Sequence, residues 1–197
     1  MKYDQPRIRF SGSDLQYYLT ESTASLHEIP LNNKFQKRDI DILYLNIDFQ
    51  SDEWHQNTKN WTLAVKCFDE LLERTNYKIL IIGREVPQHL QSKKNIRFIE
   101  SQNFTDFIRI LSRTKVLFVP SVHDASPRIL TQAMTMGVGI VVNKYIVGGW
   151  HYVNKETGGF FSDEGDIVSV VNRVIKRQKN EELSPRRWYQ NFFKSQP

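Results

Sequence analysis

The segment that most constrains this chain is YKILIIG at 77–83, apolar through its middle and closed by glycine. A strand with one wet face alternates apolar and polar residues. A strand without a polar face is covered on both sides, the condition of a parallel sheet lying between helices. Neighbouring segments keep the same pattern, with 41–49 (DILYLNIDF), 96–100, 115–120 (KVLFVP), 139–142 and 158–161 reading as strands. Helical periods stand between them. Trp61, Ala64, Val65, Phe68, Leu71 and Leu72 share one face of a helix over 59–74, and Phe104, Phe107, Ile108 and Leu111 mark another that Asn103 caps. A further helix opens on Ser126-Pro127 and is closed by Gly137, and Ile167, Val170, Val171 and Val174 line the next. Ser184-Pro185 opens a last short helix with Trp188 and Phe192 four apart. The expected fold is α/β, a Rossmann-like parallel sheet with helices on both faces.

The first forty residues break this rhythm with Pro6, Pro30 and a polar stretch at 32–39. The expected organisation is a lead-in arm at 1–40, one Rossmann-like domain at 41–178 and a helical extension at 179–197. Composition then removes whole classes. With 40% hydrophobic residues, nine Gly and seven Pro among 197, the chain is neither disordered nor fibrous. Its single cysteine, Cys67, excludes an internal disulfide framework and any multi-cysteine metal site, and points to a reducing, cytoplasmic setting. Cys67 lies beside an apolar stripe and reads as structural. The N-terminus has no apolar stretch of signal-peptide length, and no window reaches the 18 apolar residues or so of a membrane span. The net charge of +5 is scattered, which suits phosphate on a small ligand better than a nucleic-acid surface.

In an open parallel sheet, ligands bind beyond the carboxyl ends of the strands. The loop after Pro120 is the richest of those places. Ser126 and Pro127 open a helix whose free amides suit a phosphate or carboxylate; Arg128 and Gln132 are four apart on that helix, and Asp124 precedes it. Two readings stay open there: an anion site, or a helix cap with a solvated Arg128. Gly148-Gly149 after the fifth strand either turns the chain tightly or lets backbone approach a ligand. Lys59 is an unusual charge for the start of a helix unless it meets an anion. His55 and His123 read as surface residues, and Trp54, Trp61 and Trp150 as packing residues.

The run PSVHDASPRILTQAMTMGVGIVV, followed by GGWHYVNKETGGFF, resembles the donor-binding half of the group 1, GT-B type retaining glycosyltransferases. KNWTLAVKCFDEL is similar to that family's Lys-Asn or Lys-Gly helix start, YKILIIGRE to its strand and glycine turn, and NIRFIES to the next strand. The resemblance covers about 41–175 and implies a single GT-B C-terminal-type domain. It further implies that Lys59 neutralises a donor diphosphate, with Ser126 and Arg128 at the sugar-proximal phosphate. Asp124 would take sugar hydroxyls, Gln132 ribose hydroxyls, and Arg84 and Phe98 would flank the base. Gly148 and Gly149 complete the implied donor site, with Asp124 and Lys59 carrying the chemistry.

The implied reaction moves a hexosyl or pentosyl unit from a nucleotide-diphosphate sugar to an acceptor hydroxyl, with no metal and no other cofactor. Three departures accompany the resemblance. The family's cation after the first strand is replaced by Asn46-Ile47-Asp48, its second acid is Gln132, and the acceptor-binding half is not in this sequence. The implied partners are therefore a nucleotide-sugar and an acceptor domain or subunit supplied elsewhere, with no nucleic acid. The alternatives are an inactive nucleotide-sugar-binding module or an interaction domain.

Overall fold

The computed structural model describes residues 37–46, 52–124 and 128–194. Six strands form one parallel sheet: β1 (Ile40–Leu45), β2 (Ile79–Ile82), β3 (Ile96–Ile99), β4 (Thr114–Val119), β5 (Gly139–Asn143) and β6 (Gly158–Phe161), in the order β3-β2-β1-β4-β5-β6. The register pairs Leu43 with Leu80 on one side and with Leu117 on the other. The helices are α1 (Asp52–Asn57), α2 (Trp61–Arg74), α3 (Gln88–Gln91), α4 (Phe104–Ser112), α5 (Arg128–Thr135), α6 (Ile167–Lys179) and α7 (Pro185–Lys194), with a 3-10 turn at Trp150–Tyr152. This is the expected Rossmann-like sheet.

Beyond Asp41, β1 presents no polar face, and its alternate residues supply two cores. Ile42 and Tyr44 join Phe68, Phe118, Phe161 and Val171 under α2 and α6. Leu43 joins Leu117, Ile140, Leu130 and Tyr189 under α4, α5 and α7. Rings dominate the first core, where Tyr44 meets Phe68 at 5.5 Å and Phe68 meets Phe118 at 5.8 Å between centroids. Burying a side chain the size of Phe68 contributes roughly 2 to 3 kcal/mol. Cys67 is buried beside it, and burial pushes its thiol up, as expected of a packing residue.

Caps set the helix limits. Asn103 accepts the Asp106 amide at 3.0 Å, as its place before α4 implied. Gly137, at φ 69°, ends α5: its amide donates to Met134 at 2.9 Å and that of Val138 to Ala133 at 2.9 Å, the paired bonds of a Schellman turn.

Several boundaries need correction. No helix is expected between the first strand and Lys59, yet Asp52–Asn57 is helical; six residues are under two turns, too few to display an apolar period. The next helix starts at Trp61 and not at Lys59. β1 ends at Leu45, short of the expected 49. Trp150 is 51% exposed and is not a packing residue. Most of the arm expected at 1–40 lies outside the described residues, as do Ser126, Pro127, Ile47 and Asp48. Among the described residues, no helix is long and apolar enough to cross a membrane.

Candidate functional site

From β1 the chain builds outward through β2 to β3, then returns to lay β4 against the other side of β1. Crossovers on the two sides of such a divide leave a crevice at the carboxyl ends of the dividing strands. Lys59 reaches that edge after β1, and Asp124 reaches it after β4. Their side chains meet: Lys59 Nζ donates to Asp124 Oδ2 at 3.3 Å, and each side chain is 21% exposed. The small cleft around them is lined by Tyr44, Leu45, Pro120 and Ile129 as well.

The backbone explains how the pair is presented. Asn60 takes a left-handed conformation (φ 54°, ψ 50°), while its carbonyl accepts the Ala64 amide at 3.0 Å as the first bond of α2. Asparagine and glycine are the residues that adopt this conformation at little cost, which accounts for asparagine after Lys59. The bend sets Lys59 off the helix, and Trp61, buried in the first core, anchors the other side.

The loops behind the pair are laced together. The Val122 amide donates to Thr58 at 3.0 Å, and the Val147 amide donates to Val122 at 2.8 Å. His123 and Val147 form a parallel bridge. Asn143 ties the ends of β4 and β5, its Nδ2 donating to the Pro120 carbonyl at 2.9 Å while its Oδ1 accepts the Tyr145 amide at 2.9 Å. Gly148 (φ 106°) and Gly149 (φ 66°) follow in conformations open to glycine, so the pair turns the chain into the 3-10 segment.

The remaining sequence candidates are less concentrated. The Arg84 guanidinium, which follows the carboxyl end of β2, lies 5.0 Å from the centroid of the ring of Trp61, a near neighbour of Lys59 in the chain. Phe98 is 36% exposed on edge strand β3, paired with Ile81, and is not among the residues lining the cleft. Arg128 is exposed at the first described residue of α5 and Gln132 is half-buried one turn on. Among the described residues no hydrogen bond joins Gln132 to Asp124, which accepts from Lys59. His123 is exposed, as expected. Among the described residues, no group of three His, Cys, Asp or Glu side chains forms a metal-ligand set.

Of two buried polar residues at this edge, the sequence did not single out Asn143, and it marked Asn46 only as standing where the family has a cation. Asn143 carries the lacing just described and is 1% exposed. Asn46, also 1% exposed at the end of β1, buries both ends of its amide without a hydrogen-bond partner among the described residues. Only its position at the end of a strand could have signalled the burial of either.

Residues 55–194 match the family of glycosyl transferases group 1, and the chain belongs to that family. No curated protein sequence matches it. Among solved structures it is similar to the lipopolysaccharide outer core galactosyltransferase WaaB in its apo form, at 17% identity and TM-score 0.55, covering 76% of this chain and 44% of that one. It is also similar to WaaG, a glycosyltransferase involved in lipopolysaccharide biosynthesis, at 15% identity and TM-score 0.58, covering 95% and 48%. A third is an S. aureus TarM mutant in complex with fondaparinux, alpha-GlcNAc-glycerol and UDP, at 12% identity and TM-score 0.63, covering 85% and 35%. These likenesses are of fold, that of a single GT-B C-terminal-type domain, and the chain spans from about a third to about half of those proteins' length.

Proposed function

We propose that this chain is the donor-binding part of a glycosyltransferase, moving a hexosyl or pentosyl unit from a nucleotide-diphosphate sugar to an acceptor hydroxyl held by a domain or subunit supplied elsewhere. The supporting observation is the meeting of Lys59 and Asp124 across the β1–β4 divide. The ammonium stabilises the diphosphate as it leaves, since charge developing in a partly desolvated cleft is met by a preplaced cation. Ser126 and Arg128 hold the sugar-proximal phosphate where α5 begins, Asp124 accepts from sugar hydroxyls, and Gln132 accepts from ribose as a neutral partner. Arg84 and Phe98 flank the base, and Gly148 and Gly149 shape the far wall. Because Lys59 and Arg128 supply the positive charge, the reading calls for no metal.

Calorimetry against UDP-, GDP- and ADP-sugars tests it. At least one binds, and Lys59→Ala weakens that binding about tenfold or more, as loss of a charged contact does. Absence of binding across the panel defeats the reading. A second reading, donor binding without turnover, is favoured by the uncharged Asn46 at the end of β1. Protein-dependent release of free sugar from the bound donor separates the two.

A further inference from the structure

We infer that the Lys59–Asp124 ion pair is a selector that favours a sugar-bearing nucleotide over the bare nucleoside diphosphate, with Asp124 its determining residue. The inference rests on the function proposed above. The ammonium and carboxylate stand 3.3 Å apart, each on a side chain only 21% exposed, a setting in which opposite charge counts for more than on an open surface. A diphosphate that takes up Lys59 draws the ammonium from Asp124. The carboxylate then stands beside new negative charge without the cation that balanced it, which is costly in a half-closed cleft.

A nucleotide-sugar relieves that cost. Its hydroxyls donate to the Asp124 oxygens, and its glycosidic ester removes one ionisable oxygen from the terminal phosphate. A nucleoside diphosphate brings the additional charge and no hydroxyl at that place. Discrimination follows from what each ligand does for Asp124 once Lys59 has turned away, and the spent nucleotide is the one expelled. The backbone does not relax the conflict, because the Val122 amide is bonded to the Thr58 carbonyl at 3.0 Å and holds the two segments together.

The test is calorimetry at fixed ionic strength on the wild type, Asp124→Asn, Lys59→Gln and the double variant. The probes are the pairs UDP and UDP-glucose, GDP and GDP-mannose, and ADP and ADP-glucose. For the pair that binds, Asp124→Asn tightens the nucleoside diphosphate about tenfold and the nucleotide-sugar by no more than about twofold. On the Lys59→Gln background the same change yields a smaller gain, about threefold, since loss of the balancing cation no longer contributes and only the repulsion between Asp124 and the added phosphate charge is left to relieve. Asp124→Ser is read the same way if the asparagine variant does not fold. Equal effects on both members of a pair, no tightening of the diphosphate, or a full gain on the Lys59→Gln background overturns the inference while the proposed function stands. If none of the six compounds binds any form of the protein, the proposed function falls and the selector with it.

Discussion

The guanidinium of Arg38 donates to the main-chain carbonyl of Met136 at 2.8 Å, and to that of Gly137 at 3.1 Å, placing a cation at the C-terminus of α5. Those carbonyls have no partner within the helix, and the negative end of its dipole lies there. Arg38→Gln is expected to cost about 2 kcal/mol, within the range for hydrogen bonds to a charged group. Urea unfolding measures the loss, and faster amide exchange in the last turn of α5 locates it.

Gly158 pairs with Ile140 across β5 and β6, and a methyl group built on it would lie 1.8 Å from the Ile140 carbonyl oxygen. Backbone cannot give way by that amount. Gly158→Ala is expected to cost about 4 kcal/mol or more and to leave little folded protein. Gly159→Ala is the control: there the nearest atom is Val170 Cγ1 at 3.3 Å, a side chain able to shift, for a loss of about 1 kcal/mol. Thermal melts of the two variants should separate them widely.

The imidazole of His151 packs 4.0 Å from the Tyr152 ring and stacks on Phe192, and burial holds its pKa below the ordinary range. The unfolded chain therefore takes up a proton first as acid is added. The resulting stability is fully present above the unfolded value of about 6.5 and is lost as pH falls from there through the folded value. Melting temperatures from pH 7.5 down to 5.5 should fall more steeply in the wild type than in His151→Gln. Equal slopes would refute the assignment.

At Asn60, held at φ 54°, glycine should be tolerated and a β-branched residue should not. Asn60→Val is expected to cost about 1 to 2 kcal/mol, the penalty of a left-handed conformation, and Asn60→Gly well under 1 kcal/mol. Denaturant midpoints at equal slope test both.

The sheet was legible because 77–83 and 115–120 lack a polar face, and α4 because Asn103 and Asp106 announce its first turn. Lys59 was legible as a cation at the wrong end of a helix. Asp124 was legible too, from its place before a helix and from the family resemblance, but its ion pair with Lys59 was not, since Asp124 follows a different strand and the two meet only once the chain has crossed the sheet divide. Asn143 and Arg38 left no trace for a related reason: each bonds main-chain carbonyls, and a carbonyl has no signature in the residue that bears it. The six residues of α1 were too few for a period. Trp150 reads as a packing residue in the sequence, whereas the turn at Gly149 leaves it half in solvent.

The bonds running from Thr58 to Val122 and on to Val147 join segments that follow three different strands. A change of specificity that reshapes one of these segments pulls on the other two. Grafts from relatives should therefore succeed when all three are transplanted as a set and fail when exchanged singly, and natural divergence at this rim should proceed by concerted replacement.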